Sequence, residues 1–186
     1  MNTQKQVTTT RDIEATEIPS GIPIPIAAGT PLSIVQSLGG SFTVLTPYGY
    51  MARVDGKDGD AIGEAVAEAK PAGGENKTID ELCWDELKTC YDPEIPVNIV
   101  DLGLVYKCDV TPLPEDAAGG GGGHKVEVRF TLTAPGCGMG DVLRDDIRRK
   151  LLAVPGIQEA DVQVLFDPPW NLGMMSDAAK LQLGML

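Results

Sequence analysis

The sequence predicts an α+β chain in two parts, a small all-β module followed by an α-β-β-α-β-α domain with a small mixed sheet. Three observations carry this prediction. Between Ile18 and Val54, short runs rich in β-branched and aromatic residues are separated by glycine or proline breaks. From Thr78 onward the apolar spacing switches between the helical period and strand alternation. Between the two, Lys70-Pro71-Ala72-Gly73-Gly74-Glu75-Asn76-Lys77 is a linker by composition. The expected boundaries are a disordered arm over 1–17, the β module over 18–69, the linker over 70–77 and the α/β domain over 78–186.

Composition narrows the function classes. The chain has 186 residues and a net charge of −12, which argues against nucleic acid or an anionic membrane as a partner. No apolar run approaches the roughly 18 residues of a membrane helix, and the polar N-terminus lacks a hydrophobic signal core. The expected location is therefore cytoplasmic, where Cys83, Cys90, Cys108 and Cys137 are free thiols or ligands rather than disulfides.

In the arm, Thr8-Thr9-Thr10 and several charges stand with almost no large apolar groups. Strands are expected near Ile22–Ala28, Pro31–Leu38, Ser41–Leu45 and Tyr48–Val54, as a small barrel or compact sheet. Pro23 and Pro25 cannot donate to a ladder, which places the first of these strands at an edge. Asp55, Asp58 and Asp60 lack the twelve-residue loop and terminal Glu of a calcium site, so they read as solvated turn residues. A short helix is expected over Ala61–Ala69.

In the second domain, Thr78-Ile79-Asp80-Glu81 is a capping box opening a helix that Pro93 stops. Cys83 and Cys90 fall on its apolar face, too far apart to form a tetrahedral site without other ligands, and read as core. Asp92 to Asn98 is a proline-stiffened acidic loop, followed by a strand from Ile99 to about Val110, with Cys108 as a structural thiol. Five consecutive glycines, Gly119–Gly123, make a long hairpin connection. His124, the only histidine, has no ligand-spaced partner and reads as a surface residue. A strand over Lys125–Thr133, a helix over Asp141–Val154, a strand over Ala160–Phe166 and a Ser176-capped helix over Asp177–Leu183 complete the order. The first strand pair is expected antiparallel, and the strand-helix-strand unit after it parallel.

Between the second strand and the second helix lies Thr133-Ala134-Pro135-Gly136-Cys137-Gly138-Met139-Gly140-Asp141. A thiol at a helix N-terminus meets unpaired N–H groups and the positive dipole end, which favour the thiolate. The same position also suits a small buried hydrophobe in a glycine-rich turn, and position alone does not separate the two readings. A dinucleotide fingerprint would need glycine where Asp141 stands. A cysteine-nucleophile enzyme would need a base beside Cys137, and His124 on the glycine loop is the only histidine.

Three blocks in order, Asp92-Pro93-Glu94-Ile95-Pro96 with Asp101-Leu102-Gly103-Leu104-Val105-Tyr106, then Leu132-Thr133-x-Pro135-x-Cys137, then Asp167-Pro168-Pro169-Trp170, resemble the SufT/PaaD family of metal–sulfur cluster assembly factors. The preceding β-rich segment points to the SufT branch. The resemblance implies a fold like the NifU C-terminal domain and a non-enzymatic role, the delivery of iron–sulfur clusters to apoproteins in the cytoplasm. It carries over Cys137 as the functional thiol and metal ligand, with Thr133, Asp92, Glu94 and Asp101 as the other cluster-binding residues. Gly138 departs from the proline that many members place after the cysteine, which loosens the turn. One cysteine cannot complete a stable cluster site, so a transient iron–sulfur cluster is expected, with apoproteins, other assembly proteins and a second copy in a homodimer as partners. The alternative is a metal-free adaptor in the same process.

Overall fold

The computed structural model describes residues 5–66, 76–92, 94–114, 122–136 and 138–185. Its contacts divide the chain into two units, one built on six N-terminal strands together with residues 94–96 and 138–141, and one on the rest of the elements that follow.

The first unit is an antiparallel sheet of β1 (Lys5–Thr8), β2 (Ile13–Ile18), β3 (Pro23–Ile26), β4 (Pro31–Leu38), β5 (Ser41–Leu45) and β6 (Met51–Asp55), in the order β1-β4-β5-β6-β2-β3. Alternation buries Leu32, Ile34, Phe42, Val44, Ala52 and Val54 on one face. The proline-bearing β3 lies at the edge, as its missing N–H groups require. The expected disordered arm over 1–17, of which residues 1–4 lie outside the described residues, is corrected from Lys5 onward, because β1 and β2 lie there. Its few apolar residues are well placed: Ile13 and Ala15 alternate into the core, and β2 pairs with β3 and β6 at once.

The acidic turn also differs from its solvated reading. Asp55 accepts from the Lys57 N–H at the start of a 3₁₀ segment, Gly56–Ile62, and buried Asp58 pairs with Arg11 at 2.9 Å. Arg11 also reaches Asp60 at 2.7 Å. The helix expected from Ala61 does not form over 61–66, where the 3₁₀ segment ends at Gly63 with φ 72°, a left-handed stop. Residues 67–69 lie outside the described residues.

The second unit runs α1 (Ile79–Leu87), β7 (Val105–Pro112), β8 (His124–Phe130), α2 (Gly140–Leu152), β9 (Ile157–Val164) and α3 (Asp177–Gln182), the order the sequence predicts. In the sheet β7-β8-β9, β7 is antiparallel and β9 parallel to β8, with Cys108, Val128 and Val162 in register. Phe130, Leu87, Leu104, Ile147 and Leu151 form fully buried core, and Cys83 and Cys90 are buried. The Thr78–Glu81 capping box is present in both directions.

Three local expectations change. The first helix ends at Leu87, ahead of Pro93, which lies outside the described residues. The strand expected from Ile99 begins at Val105, because the Asn98 side chain accepts from the Val100 and Asp101 N–H groups and folds 98–104 into a turn. His124 is half-buried rather than at the surface: it opens β8, its N–H donates to the Gly156 carbonyl at 2.8 Å, and its Nδ1 is buried without a hydrogen bond. The glycine run falls largely within 115–121, outside the described residues. Among the described residues no helix is long and apolar enough to cross a membrane.

Candidate functional site

Cys137 itself lies outside the described residues. The chain on either side of it is described. After β8, Thr131 and Leu132 are buried, Thr133 is half-buried and Ala134 to Gly136 are exposed. Gly136 has φ 80°, a bend that a side chain resists. Beyond the cysteine, Met139 is buried and α2 starts at Gly140, with Asp141 in its first turn. The strand-to-helix turn predicted for this stretch is therefore present in its flanks.

The predicted site residues separate into two groups. Thr133 and Asp92, distant in sequence, meet: the Thr133 hydroxyl donates to the Asp92 carboxylate at 3.3 Å. Asp92 is 3% exposed, so this polar contact is shielded from water, where hydrogen bonds to charged groups are strongest. A bridge between Tyr91 and Asn98 and the Ile99 N–H on the Cys90 carbonyl close the base of the Asp92 loop. Glu94 is exposed on that loop.

Asp101 is turned elsewhere. Its carboxylate accepts from the Asn98 amide at 2.6 Å and from the Ser176 hydroxyl at 3.1 Å, while its carbonyl accepts from the Ser176 N–H at 2.8 Å. Nearby, the Trp170 indole donates to the Leu102 carbonyl and the Tyr106 hydroxyl to the Pro168 carbonyl, each at 2.7 Å. Two of the three sequence blocks thus hold each other. Asn98 and Ser176 were missed as partners in this clamp. Their sequence signals were an Asn-x-x-Asp turn and a helix N-cap, neither of which says that the two meet.

The Cys83 and Cys108 thiols are poor metal ligands. Burial pushes the Cys83 thiol up to about 11 and the Cys108 thiol up to about 12, and nearby Asp80 adds to both. Both stay protonated at neutral pH and so lack the thiolate that binds metal. Among the described residues no three His, Cys, Asp or Glu side chains are grouped to hold a metal.

Residues 83–164 match the family described as iron-sulfur cluster assembly protein. A Fe-S protein maturation auxiliary factor of Porphyromonas gingivalis is 44% identical over 100 residues, covering 54% of this chain and 86% of that protein. This chain belongs to the iron–sulfur cluster assembly family. The Fe-S protein maturation auxiliary factor SufT of Staphylococcus aureus is 40% identical over 94 residues, 50% of this chain and 96% of that protein. An iron-sulfur cluster carrier protein of Deinococcus radiodurans shares 31% identity over 80 residues, 43% of this chain and 19% of the carrier. The family match contains the Asp92 loop, Thr133 and Cys137. The six-stranded unit falls outside it.

Proposed function

We propose that this chain is a cytoplasmic maturation factor that receives an iron–sulfur cluster as cargo and passes it to apoproteins, with Cys137 as the transferable thiolate. The observation that carries this reading is the shielded Thr133–Asp92 contact, which joins two motif blocks beside the turn that contains Cys137. Four ligands normally hold a cluster, so one thiolate per chain binds weakly and releases readily, as a transfer step requires. Asp92 and Thr133 shape the wall of the site, and exposed Glu94 offers oxygen to iron or a contact to a recipient. In this proposal Asp101 does not face the site; it braces Asn98, at the foot of the Asp92 loop, against Ser176.

The chemistry is transfer rather than catalysis. His124 opens β8, whereas the Cys137 turn follows the far end of that strand, about 20 Å of extended chain away. The single histidine of the sequence thus opens the strand at the end opposite this turn, which disfavours a Cys–His nucleophile. The partners are apoproteins and other assembly proteins, as the maturation and carrier names of the relatives suggest.

The test is anaerobic cluster reconstitution on wild type and Cys137→Ser, followed by absorption spectroscopy and transfer to an apo-acceptor. Cluster absorption and transfer that both disappear with the thiol are the expected result. Equal transfer by Cys137→Ser with no bound iron would leave a metal-free adaptor instead.

A further inference from the structure

The edges of the two sheets are treated differently by the sequence. A bare edge invites another strand, and β3 carries two prolines that prevent this. The β9 edge has no proline guard. It is eight residues long, and its charged side chains are Glu159 and Asp161, with no lysine. The Leu165 N–H donates to the Phe130 carbonyl, which fixes the parity of the strand: Ala160, Val162 and Val164 direct their backbone groups away from β8. No backbone hydrogen bond among the described residues reaches them.

A flank of α2 overlooks this edge. Asp145, Arg148, Arg149 and Leu152 line a cleft of about 460 Å³. A second cleft of about 370 Å³ shares Arg148 and Leu152 and continues onto Gln158 and Ala160, with Lys125, Glu159 and Asp161 as its charged lining. Leu152 is 40% exposed, and Arg148 is exposed with no ion-pair partner among the described residues. Positions 145, 148 and 152 form one stripe along the helix, with opposite charges one turn apart.

We propose that this surface binds a second copy of the chain, β9 pairing antiparallel with β9 of the partner and α2 packing against α2. A two-fold axis requires a patch that complements itself. The stripe meets this requirement, because turning it antiparallel sets Arg148 against the partner's Asp145 and Asp145 against the partner's Arg148. The two elements agree on where the axis passes. Arg148 and Ala160 line one cleft, and α2 runs back along β9 at about 1.5 Å per residue against about 3.3 Å. An axis near Asp161 therefore falls between residues 145 and 148 on the helix, and sets Asp161 opposite its own copy, each carboxylate held by Arg129 of its own chain at 3.0 Å. The result is one continuous six-stranded sheet with Leu152 covered. This assembly is independent of Cys137.

Sedimentation velocity on the full chain tests it. The wild type is expected to dimerise, and Cys137→Ser to dimerise equally. Arg148→Asp is expected to weaken the dimer about 100-fold, by placing like charges together twice. Restoration by the double variant Asp145→Arg with Arg148→Asp is the decisive result, because a merely unstable fold would not recover. Ala160→Pro, which removes an outward N–H, is expected to give a monomer with unchanged far-UV circular dichroism. A wild type that stays monomeric at about 100 μM overturns the proposal. So does a dimer indifferent to both substitutions. A monomer in which Arg148→Asp abolishes only the binding of an added apo-acceptor also overturns it and assigns the edge to a different partner.

Discussion

Gly103 shows how tightly single positions are set in this fold. It has φ 72°, and a Cβ there would stand 2.2 Å from the Met174 carbonyl oxygen. Gly103→Ala therefore meets both a left-handed backbone and a backbone atom with nowhere to go. The expected cost is about 2–3 kcal/mol, read as a lower melting temperature in thermal denaturation. The cysteines yield a second prediction at this scale. Cys83, Cys90 and Cys108 are buried, and burial keeps the Cys83 and Cys108 thiols well above neutral pH. In native protein at neutral pH, iodoacetamide should label one cysteine quickly, identified by mass spectrometry as Cys137. Four should react in denaturant. Rapid labelling of Cys83 or Cys108 would remove the distinction drawn between structural and functional thiols. Helical spacing placed Cys83 and Cys90 in the core from the sequence. The meeting of Thr133 with Asp92 was not legible, because no local pattern records which loop lies beside which strand end.

The three-stranded sheet carries a charged outer face. Glu127 stands at its centre, with Lys125 at 3.1 Å, Lys107 at 3.5 Å and Arg129 at 4.0 Å. Its direct neighbours across the strands are Asp109 and Asp161, so the favourable contacts run along β8 to Lys125 and Arg129 and diagonally to Lys107. The hydrogen bond from Lys125, and then its charge, hold the Glu127 carboxyl below its usual 4.5. A depressed folded-state value means that this contribution is present above the unfolded value and is lost as pH falls below about 4.5 through the folded value. Glu127→Gln should cost little stability near neutral pH, since water screens these surface ion pairs. The difference from wild type should shrink in about 1 M salt, where screening acts over about 3 Å, and should vanish in acid. Chemical denaturation at several pH and salt values measures both effects. Strand existence was readable from alternation for β4, β5, β6 and β8. β1 and β2 were not, because β1 buries little and backbone pairing on both sides holds β2.

The molecule as a whole is two cores rather than one. The N-terminal sheet closes over Leu32, Phe42, Val44, Val54 and Ile62, while Phe130, Ile147 and Leu151 belong to the second unit. Residues 78–186 expressed alone should therefore melt cooperatively, which calorimetry and dispersed amide resonances would show. A molten product would mean that the second core is incomplete without the first 77 residues. The net charge of −12 belongs to this scale too and repels polyanions most strongly at low salt.

The sequence alone determined the order of elements in the second unit, the capping box, the edge position of the proline strand and the family of the chain. Each depends on residues close in sequence, where periodicity, a cap or a missing N–H acts within a few positions. Tertiary structure decided the rest. It ordered the first seventeen residues from Lys5 onward into strands, buried Asp58 on Arg11, set Asp92 against Thr133 and turned Asp101 toward Ser176 rather than toward the site. Those outcomes depend on which distant backbone or charge a group meets after the chain has closed on itself, and hydrophobic spacing carries no record of that meeting.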